Sequence, residues 1–161
     1  AQPQAPVAQA PVDANAWTTR LAALKSALET ATRDLGVIVV QTNDNQLRVV
    51  FPGDRSFDVA RAVVKREMGA TLDKVAEGLQ SARRASIVVV GHTDATGSEP
   101  NNERLSQARA DNVRAYLISR GLSGDVIETE GRGSSEPLAD NATAEGRSQN
   151  RRVEIYVKDR D

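Results

Sequence analysis

Residues 86–121 read SIVVVGHTDATGSEPNNERLSQARADNVRAYLISRG, and this stretch decides the fold class. It opens with a short apolar run, 86–91, which has the composition of a β-strand buried on both faces. A polar loop follows, and residues 103–121 then repeat apolar side chains at the spacing of an amphipathic helix that ends at Gly121. A buried strand followed by such a helix predicts an α/β unit.

The chain on either side of this stretch continues to alternate between strand and helix patterns. Two β-rich runs are joined by Asn43-Asp44-Asn45, which has the composition of a hairpin turn. After Pro52-Gly53-Asp54 the pattern becomes helical, with apolar residues recurring from Val59 and Val63 to Leu79. The predicted strands are 37–42, 46–51, 86–91, 126–131 and 151–158, and the predicted helices in this part are 59–80 and 103–121.

The last predicted strand has one apolar face. Val153, Ile155 and Val157 alternate with Arg152, Glu154 and Tyr156, so we expect the apolar set to be buried and the polar set to face solvent. Taken with the other elements, this predicts a two-layer α/β sandwich in which helices cover one face of a small mixed sheet.

The N-terminal part differs in composition from the rest. Residues 1–14, AQPQAPVAQAPVDA, contain three prolines and one charge, which predicts an extended tether. Residues 15–36 are predicted to form an amphipathic helix, and 37–161 the folded domain. The helix has an apolar stripe that serves either to pack on the domain or to oligomerise. The stripe consists of Trp17, Leu21, Leu24, Leu28, Ala31 and Leu35.

Composition excludes several classes of function. The chain has 161 residues, with 21 basic and 22 acidic side chains, and this balance argues against a non-specific nucleic-acid binder. No apolar run approaches the roughly 20 residues that span a bilayer, and no signal-like segment opens the chain. There is no cysteine and a single histidine, His92, so thiol catalysis and multi-histidine metal sites are excluded. We expect no cofactor and no metal.

Two arginines lie where apolar side chains are expected. Arg109 lies four residues from both Leu105 and Val113 in the helix stripe, and Arg151 has the parity of Val153 in the last strand. A buried guanidinium needs an anionic partner or a wet pocket. One interpretation is an internal ion pair of Asp94 with Arg109 or Arg151. The other is that Asp94 and Arg109 lie apart and together hold a ligand that carries an ammonium and a carboxylate. The spacing does not choose between them.

Four linked motifs give the sequence a family resemblance. They are GHTDATG at 91–97, NNERLSQARADNVRAYL at 101–117, GRG at 131–133 and NATAEGRSQNRRVEI at 141–155. In this order they resemble the peptidoglycan-binding OmpA-like domain, over about three quarters of the chain when the looser match upstream is included. The resemblance implies a βαβαβ-type sandwich with a mixed sheet, in agreement with the elements predicted above.

The resemblance also implies a function and its residues. The domain is expected to bind peptidoglycan non-covalently in the periplasm, through the meso-diaminopimelate of the stem peptide. Asp94 corresponds to the family residue that takes the ammonium, and Arg109 to the one that takes the carboxylate. Thr93 and Asn102 would supply neutral hydrogen bonds, and Arg151 would line the same pocket. We expect the chain to be tethered to the outer membrane by an anchor upstream.

Two other classes of function remain open beside a wall-binding module. One is an envelope adaptor or stator-like component that oligomerises through the N-terminal helix. The other is a peptidoglycan-cleaving enzyme, which is the less favoured because no serine or second acid is placed around His92 by any known signature. We therefore expect His92 to be a hydrogen-bonded structural residue and the protein not to be an enzyme.

Overall fold

The computed structural model of the chain describes residues 17–80 and 85–159, so the tether predicted at 1–14 lies outside the described residues. The helices are α1 Thr19–Ala31, α2 Gly53–Ser56, α3 Arg66–Leu79, α4 Glu99–Ser119 and α5 Ala144–Asn150. The strands are β1 Ile38–Gln41, β2 Leu47–Pro52, β3 Ser86–His92, β4 Ile127–Gly131 and β5 Arg152–Lys158. A 3-10 turn, Gly124–Val126, leads into β4.

The five strands form one mixed sheet in the order β1-β2-β5-β3-β4. Only β3 and β4 run parallel, and the other pairs are antiparallel. The register places Val49, Ile155 and Val89 side by side on one face, where all three are fully buried. Helices α1, α3 and α4 supply the other half of this core. The predicted two-layer α/β sandwich is therefore confirmed.

Helix α1 belongs to the same hydrophobic core as the sheet. Leu21, Leu24 and Leu28 are buried in it, and each such leucine contributes about 1.5–3 kcal/mol by leaving water. At its start, Thr18 accepts a hydrogen bond from the Leu21 amide at 3.1 Å and donates one to Asp159, just beyond β5, at 2.9 Å. These three leucines of the predicted stripe thus pack on the domain. The helix is shorter than the predicted 15–36, since residues 32–36 form a turn and Ala31 is exposed.

The apolar pattern before α3 was misleading. Val59 and Val63 are 93% and 70% exposed, and α3 begins only at Arg66, so the helix predicted from residue 59 is wrong in its first two turns. Three carbonyl groups of the loop at 57–65 accept hydrogen bonds from the side chains of Arg109 and Asn112 in α4. A backbone with such partners does not need helical hydrogen bonds.

Two other helix predictions need correction. Helix α4 begins at Glu99 rather than 103, because Ser98 caps it by accepting a hydrogen bond from the Asn101 amide. Helix α5 was not predicted at all. It has seven residues, too few to show an apolar period, and is capped by Thr143, which accepts from the Gly146 amide at 2.9 Å.

The polar face of β5 is buried, contrary to expectation. Arg152 and Glu154 are only 4% and 3% exposed on the sheet face opposite the helices. Glu154 accepts hydrogen bonds from Arg48 at 2.8 Å, Arg152 at 2.6 Å and Tyr156 at 2.6 Å. Because these residues satisfy one another, they can leave solvent. We call Arg48, His92, Arg152, Glu154 and Tyr156 the outer-face cluster.

Burial and charge shift two pKa values in the outer-face cluster. Burial opposes ionisation of Glu154, but the hydrogen bonds from Arg48, Tyr156 and Arg152 prevail and lower its pKa to about 2. Burial, followed by the charge of Arg152, lowers the pKa of His92 to about 4. Within the described part of the chain neither ring nitrogen of His92 has a hydrogen-bond partner, so the expectation of a hydrogen-bonded histidine is wrong.

Candidate functional site

Asp94 lies in the loop that follows β3, at the end of a strand in the middle of the sheet. Its carboxylate accepts hydrogen bonds from the Thr96 amide at 2.8 Å and from Arg151 at 2.6 Å. Burial works against ionisation of Asp94, but these two donors lower its pKa overall. The carboxylate is therefore ionised and can accept further hydrogen bonds, since a carboxylate has about four acceptor positions.

Thr93 and Asn102 hold the backbone of this loop. The Thr93 hydroxyl donates to the Asp94 carbonyl at 2.9 Å, and the Asn102 side-chain amide donates to the same carbonyl at 3.4 Å. Both residues are buried. They fix the position of Asp94, and direct hydrogen bonds from them to a ligand stay a prediction.

Arg109 extends from the buried face of α4 and is only 5% exposed. Its guanidinium lies over the ring of Phe57, 4.8 Å from the centroid, and donates to the carbonyls of Arg61 at 2.8 Å and Asp58 at 3.3 Å. Among the described residues no carboxylate forms an ion pair with it. Burial lowers the pKa of Arg109, but an arginine stays protonated at any ordinary pH. A charge without an acidic partner therefore lies under this surface.

The position of Arg109 depends on the close packing of α4 against the sheet. A side chain at Gly91 of β3 would put its Cβ 2.2 Å from the Ser106 carbonyl oxygen, so only glycine lets the helix approach this closely. From the same turn, the Ser106 hydroxyl accepts a hydrogen bond from the Gly133 amide at 3.0 Å. Arg109 follows Ser106 by one turn, so its position relative to the Asp94 loop is set by packing.

Arg151 pairs with two carboxylates. It donates to both oxygens of Asp54, at 2.8 and 2.9 Å, and to Asp94 at 2.6 Å. The hydrogen bond with Asp54 is the main cause of a raised pKa for Arg151, and the same bond is the main cause of a lowered pKa for Asp54. The predicted internal ion pair thus exists with Arg151, whereas Arg109 takes no part in it.

Asp54 is brought to Arg151 by a second close approach. The Gly53 amide donates to the Arg151 carbonyl at 2.7 Å, and a Cβ at Gly53 would lie 2.5 Å from that oxygen. In the sequence, Pro52-Gly53-Asp54 marked only the change to a helical pattern, and no role was predicted for Asp54. Arg151 precedes β5 instead of belonging to it, so its predicted inward parity does not apply.

All five predicted site residues line one open cleft of about 770 Å³. The cleft lies between the loop after β3, the start of α4, the loop at 57–65 and the end of α5. Its charged side chains are Asp54, Asp94, Arg109, Arg147 and Arg151, of which Asp54 and Arg147 were not predicted. Its other lining residues are Phe57, Val59, Ala60, Thr93, Thr96, Asn101, Asn102 and Leu105.

The charges around Asp94 and Arg109 suit the two ends of a zwitterion. Arg151 shares one positive charge between Asp54 and Asp94, so these three residues together keep a net negative charge. Arg109 offers a positive charge elsewhere in the same cleft. A ligand with an ammonium and a carboxylate can therefore form charge-assisted hydrogen bonds at both ends.

The chain is similar in sequence and in structure to known proteins. The model of the OmpA family matches residues 56–151. Outer membrane protein A of Bordetella avium is 44% identical over 110 residues, which are 68% of this chain and 57% of that protein. The peptidoglycan-binding protein ArfA of Mycobacterium tuberculosis is 51% identical over 86 residues, 53% of this chain and 26% of that protein. The chain thus spans a little over half, or less, of these relatives.

Solved structures agree with the fold. The cell wall anchor of the T6SS from Pseudomonas aeruginosa superposes with a TM-score of 0.71 at 35% identity, over 86% of this chain and 96% of that one. Within residues 17–80 and 85–159, no helix combines the length and apolar character needed to cross a membrane. The same residues contain no group of three or more side chains suited to hold a metal ion.

Proposed function

Because the chain belongs to the OmpA family, we propose that it binds peptidoglycan non-covalently and anchors an envelope protein to the cell wall. The group held in the cleft is the meso-diaminopimelate of the stem peptide, whose free end carries an ammonium and a carboxylate on one carbon. One observation carries this proposal. Arg109 is a buried charge with no ion-pair partner among the described residues, in the same cleft as the ionised Asp94.

Arg109 is suited to the carboxylate of this group. Of its five N–H donors, the carbonyls of Arg61 and Asp58 use two, which leaves three for a ligand. A guanidinium can bind a carboxylate through two parallel hydrogen bonds, and each charge-assisted contact contributes about 1.5–3 kcal/mol. Lysine at the same position of a stem peptide has no carboxylate at its free end, so it would leave Arg109 unpaired.

Asp94 is suited to the ammonium. Two of its acceptor positions are used by the Thr96 amide and by Arg151, and the remaining ones are available. Because Asp54 takes two of the hydrogen bonds of Arg151, the negative charge of Asp94 is only partly compensated. Thr93 and Asn102 support this role by fixing the Asp94 backbone.

The proposal describes a binding module rather than an enzyme. His92 lies on the opposite sheet face from the helices, paired in register with Arg152, and is only 2% exposed. A histidine enclosed in this way is poorly placed to act on a ligand in the cleft. The location that fits this function is the periplasm of the bacterial cell envelope, and we propose in addition that the protein is tethered to the outer membrane.

The adaptor interpretation receives less support from the structure. It relied on an apolar helix stripe that is free to bind another chain. Leu21, Leu24 and Leu28 of that stripe are 0–4% exposed and belong to the core of this domain. Because the apolar face of this helix is buried within its own domain, little apolar surface of the helix is available to a partner.

Co-sedimentation with purified sacculi tests the proposal. The protein should sediment with walls whose stem peptides contain diaminopimelate and stay in solution with walls that contain lysine. Arg109→Gln should abolish sedimentation, and Arg33→Gln, an exposed arginine outside the cleft, should not. Equal binding to both wall types would contradict diaminopimelate recognition. Release of soluble muropeptides during the incubation would contradict the assignment as a binding module.

A further inference from the structure

Besides Arg109, one other arginine of the cleft forms no ion pair with an acidic side chain among the described residues. Arg147, in α5, lines the cleft, and its guanidinium donates to the Asn141 carbonyl at 3.0 Å, the one hydrogen bond of this side chain within the described chain. Its side chain is half-buried. Four of its five N–H donors are thus available to a ligand or to solvent.

The fold holds Arg147 close to the other charged residues of the cleft. Arg147 and Arg151 are four residues apart, and the Arg151 amide donates to the Arg147 carbonyl at 3.1 Å, so the two side chains leave the same side of this turn. Asn141, which accepts from Arg147, also accepts from the Ala95 amide at 3.3 Å, directly after Asp94. Arg147 therefore lies at the Asp94 end of the cleft, whereas Arg109 lies against the loop at 57–65.

The charges of the cleft are not balanced by a simple zwitterion. The lining residues include two carboxylates, Asp54 and Asp94, and three guanidiniums, Arg109, Arg147 and Arg151. A ligand end with one ammonium and one carboxylate brings no net charge and leaves one guanidinium uncompensated. A ligand with one ammonium and two carboxylates brings one negative charge and balances the cleft.

We infer that Arg147 forms a subsite for a second carboxylate of the ligand. This inference rests on the proposed function, because it takes the stem peptide as the ligand. In an uncross-linked L-Ala-γ-D-Glu-meso-diaminopimelate tripeptide, two carboxylates are available besides the one at the free zwitterionic end. One belongs to D-Glu, and the other is the second carboxylate of diaminopimelate itself. Both present the same chemistry to Arg147.

Calorimetric titration with three synthetic peptides tests the subsite and identifies the source. The peptides are the tripeptide, its form amidated at the D-Glu carboxylate and its form amidated at the second diaminopimelate carboxylate. The wild-type protein should bind the tripeptide about tenfold more tightly than one of the two amides, which is the loss of one charge-assisted contact. The amide that shows this loss identifies the carboxylate that Arg147 binds.

Two variants at this position test whether Arg147 is the residue that binds the second carboxylate. Arg147→Gln should bind the tripeptide about as weakly as the wild type binds the amide with the lost contact. The variant should also bind the tripeptide and that amide with equal affinity. Arg147→Lys keeps the charge without the fork and should retain part of the preference. Arg33→Gln makes the same change of net charge outside the cleft and should behave as the wild type.

The outcomes separate this inference from the function on which it rests. If Arg147→Gln binds the tripeptide as the wild type does, or weakens all three peptides equally, the subsite is overturned. The proposed function survives that result as long as the wild type binds the tripeptide and Arg109→Gln does not. Failure of the wild type to bind any of the three peptides would contradict the proposed function and the subsite together.

Discussion

Arg151 and Arg152 are neighbours in the chain and belong to two different clusters of charge. Arg151 faces the cleft, where it is bound by Asp54 and Asp94 and its side chain is 33% exposed. Arg152 belongs to the outer-face cluster, where its donors are used by Glu154 and by the carbonyls of Asn150 and Glu136. The first cluster is open and leaves charges without ion-pair partners, whereas the second is closed.

The difference shows how to separate charges that stabilise a fold from charges that bind a ligand. In the outer-face cluster, Glu154 accepts four hydrogen bonds from three side chains of its own chain, which fill the acceptor positions of its carboxylate. In the cleft, Arg109 and Arg147 have donors that the described residues do not use. Removal of a charge should therefore affect stability in the outer-face cluster and binding in the cleft.

The largest effect is expected from Glu154→Gln. It leaves the buried Arg152 and the half-buried Arg48 without their carboxylate, which should lower the free energy of unfolding by roughly 3–5 kcal/mol. Urea denaturation at pH 7 measures this change. Glu128→Gln, an exposed position on the same face of β4, is the matched control and should change stability little. A loss below 1 kcal/mol for Glu154→Gln would show that the outer-face cluster is not a structural unit.

The second largest effect is expected from acid, which should lower the stability of the fold through the outer-face cluster. The pKa of His92 is about 4 in the fold against 6.5 for a free histidine, so the unfolded chain binds more protons between these values and stability falls as the pH decreases from 6.5 to 4. The full window corresponds to about 3 kcal/mol. Glu154, with a pKa of about 2, adds a further loss as the pH falls below 4.5.

Replacing the ring isolates the histidine part of this effect. His92→Phe has a ring of similar size and no titratable group, so its unfolding free energy should vary much less between pH 6.5 and pH 4. Parallel curves for the wild type and His92→Phe would assign the acid sensitivity to other groups. Wall binding measured at pH 7 should be the same in both, because His92 does not line the cleft.

Substitutions in the cleft should affect binding more than stability, the reverse of what is expected in the outer-face cluster. Arg109→Gln should weaken wall binding at least tenfold, since the lost contact contributes about 1.5–3 kcal/mol, while the free energy of unfolding falls by only about 1–2 kcal/mol. Arg109→Lys should also bind poorly, because an ammonium lacks the two-pronged fork. Sacculus co-sedimentation and melting curves on the same samples check this. A well-folded variant that still binds the wall would remove Arg109 from the site.

The smallest effect is expected at Asp54. In Asp54→Asn the side chain loses its charge, and Arg151 then compensates Asp94 more fully, which makes Asp94 a weaker acceptor for an ammonium. We expect peptide binding to weaken by about threefold, or less than 1 kcal/mol. Asp125→Asn, exposed in the 3-10 turn, is the control for the change of charge. Tighter binding in Asp54→Asn would mean that Asp54 competes with the ligand instead of supporting its site.

The sequence was sufficient wherever a local pattern decides the structure. All five strands were predicted to within two residues at each end, because their apolar runs are bounded by turn residues. Arg109 could be singled out because it interrupts an apolar stripe, and Asp94 because it follows a buried strand. Both patterns lie within the 36 residues from 86 to 121.

Where contacts between distant residues decide, the sequence was misleading. Arg152 and Glu154 alternate with apolar residues as a solvated face does, and their burial depends on Arg48, 106 positions from Glu154. Asp54 joins the site only because Gly53 permits a close approach to Arg151, 97 positions from Asp54. Val59 has helical spacing, but the backbone of its loop is held by hydrogen bonds from α4. No local pattern carries these contacts.

The contact of Thr18 and Arg20 with Asp159 connects the start of α1 directly to the end of β5. Asp159 follows β5, the central strand, whose seven residues span about 23 Å and whose other end adjoins Arg151 in the cleft. If the protein anchors another envelope component as proposed, a force applied to the chain ahead of α1 would reach one end of this strand, and the wall ligand would be held near the other. Under the proposed function, the strand in the middle of the sheet would then connect the two points at which force acts.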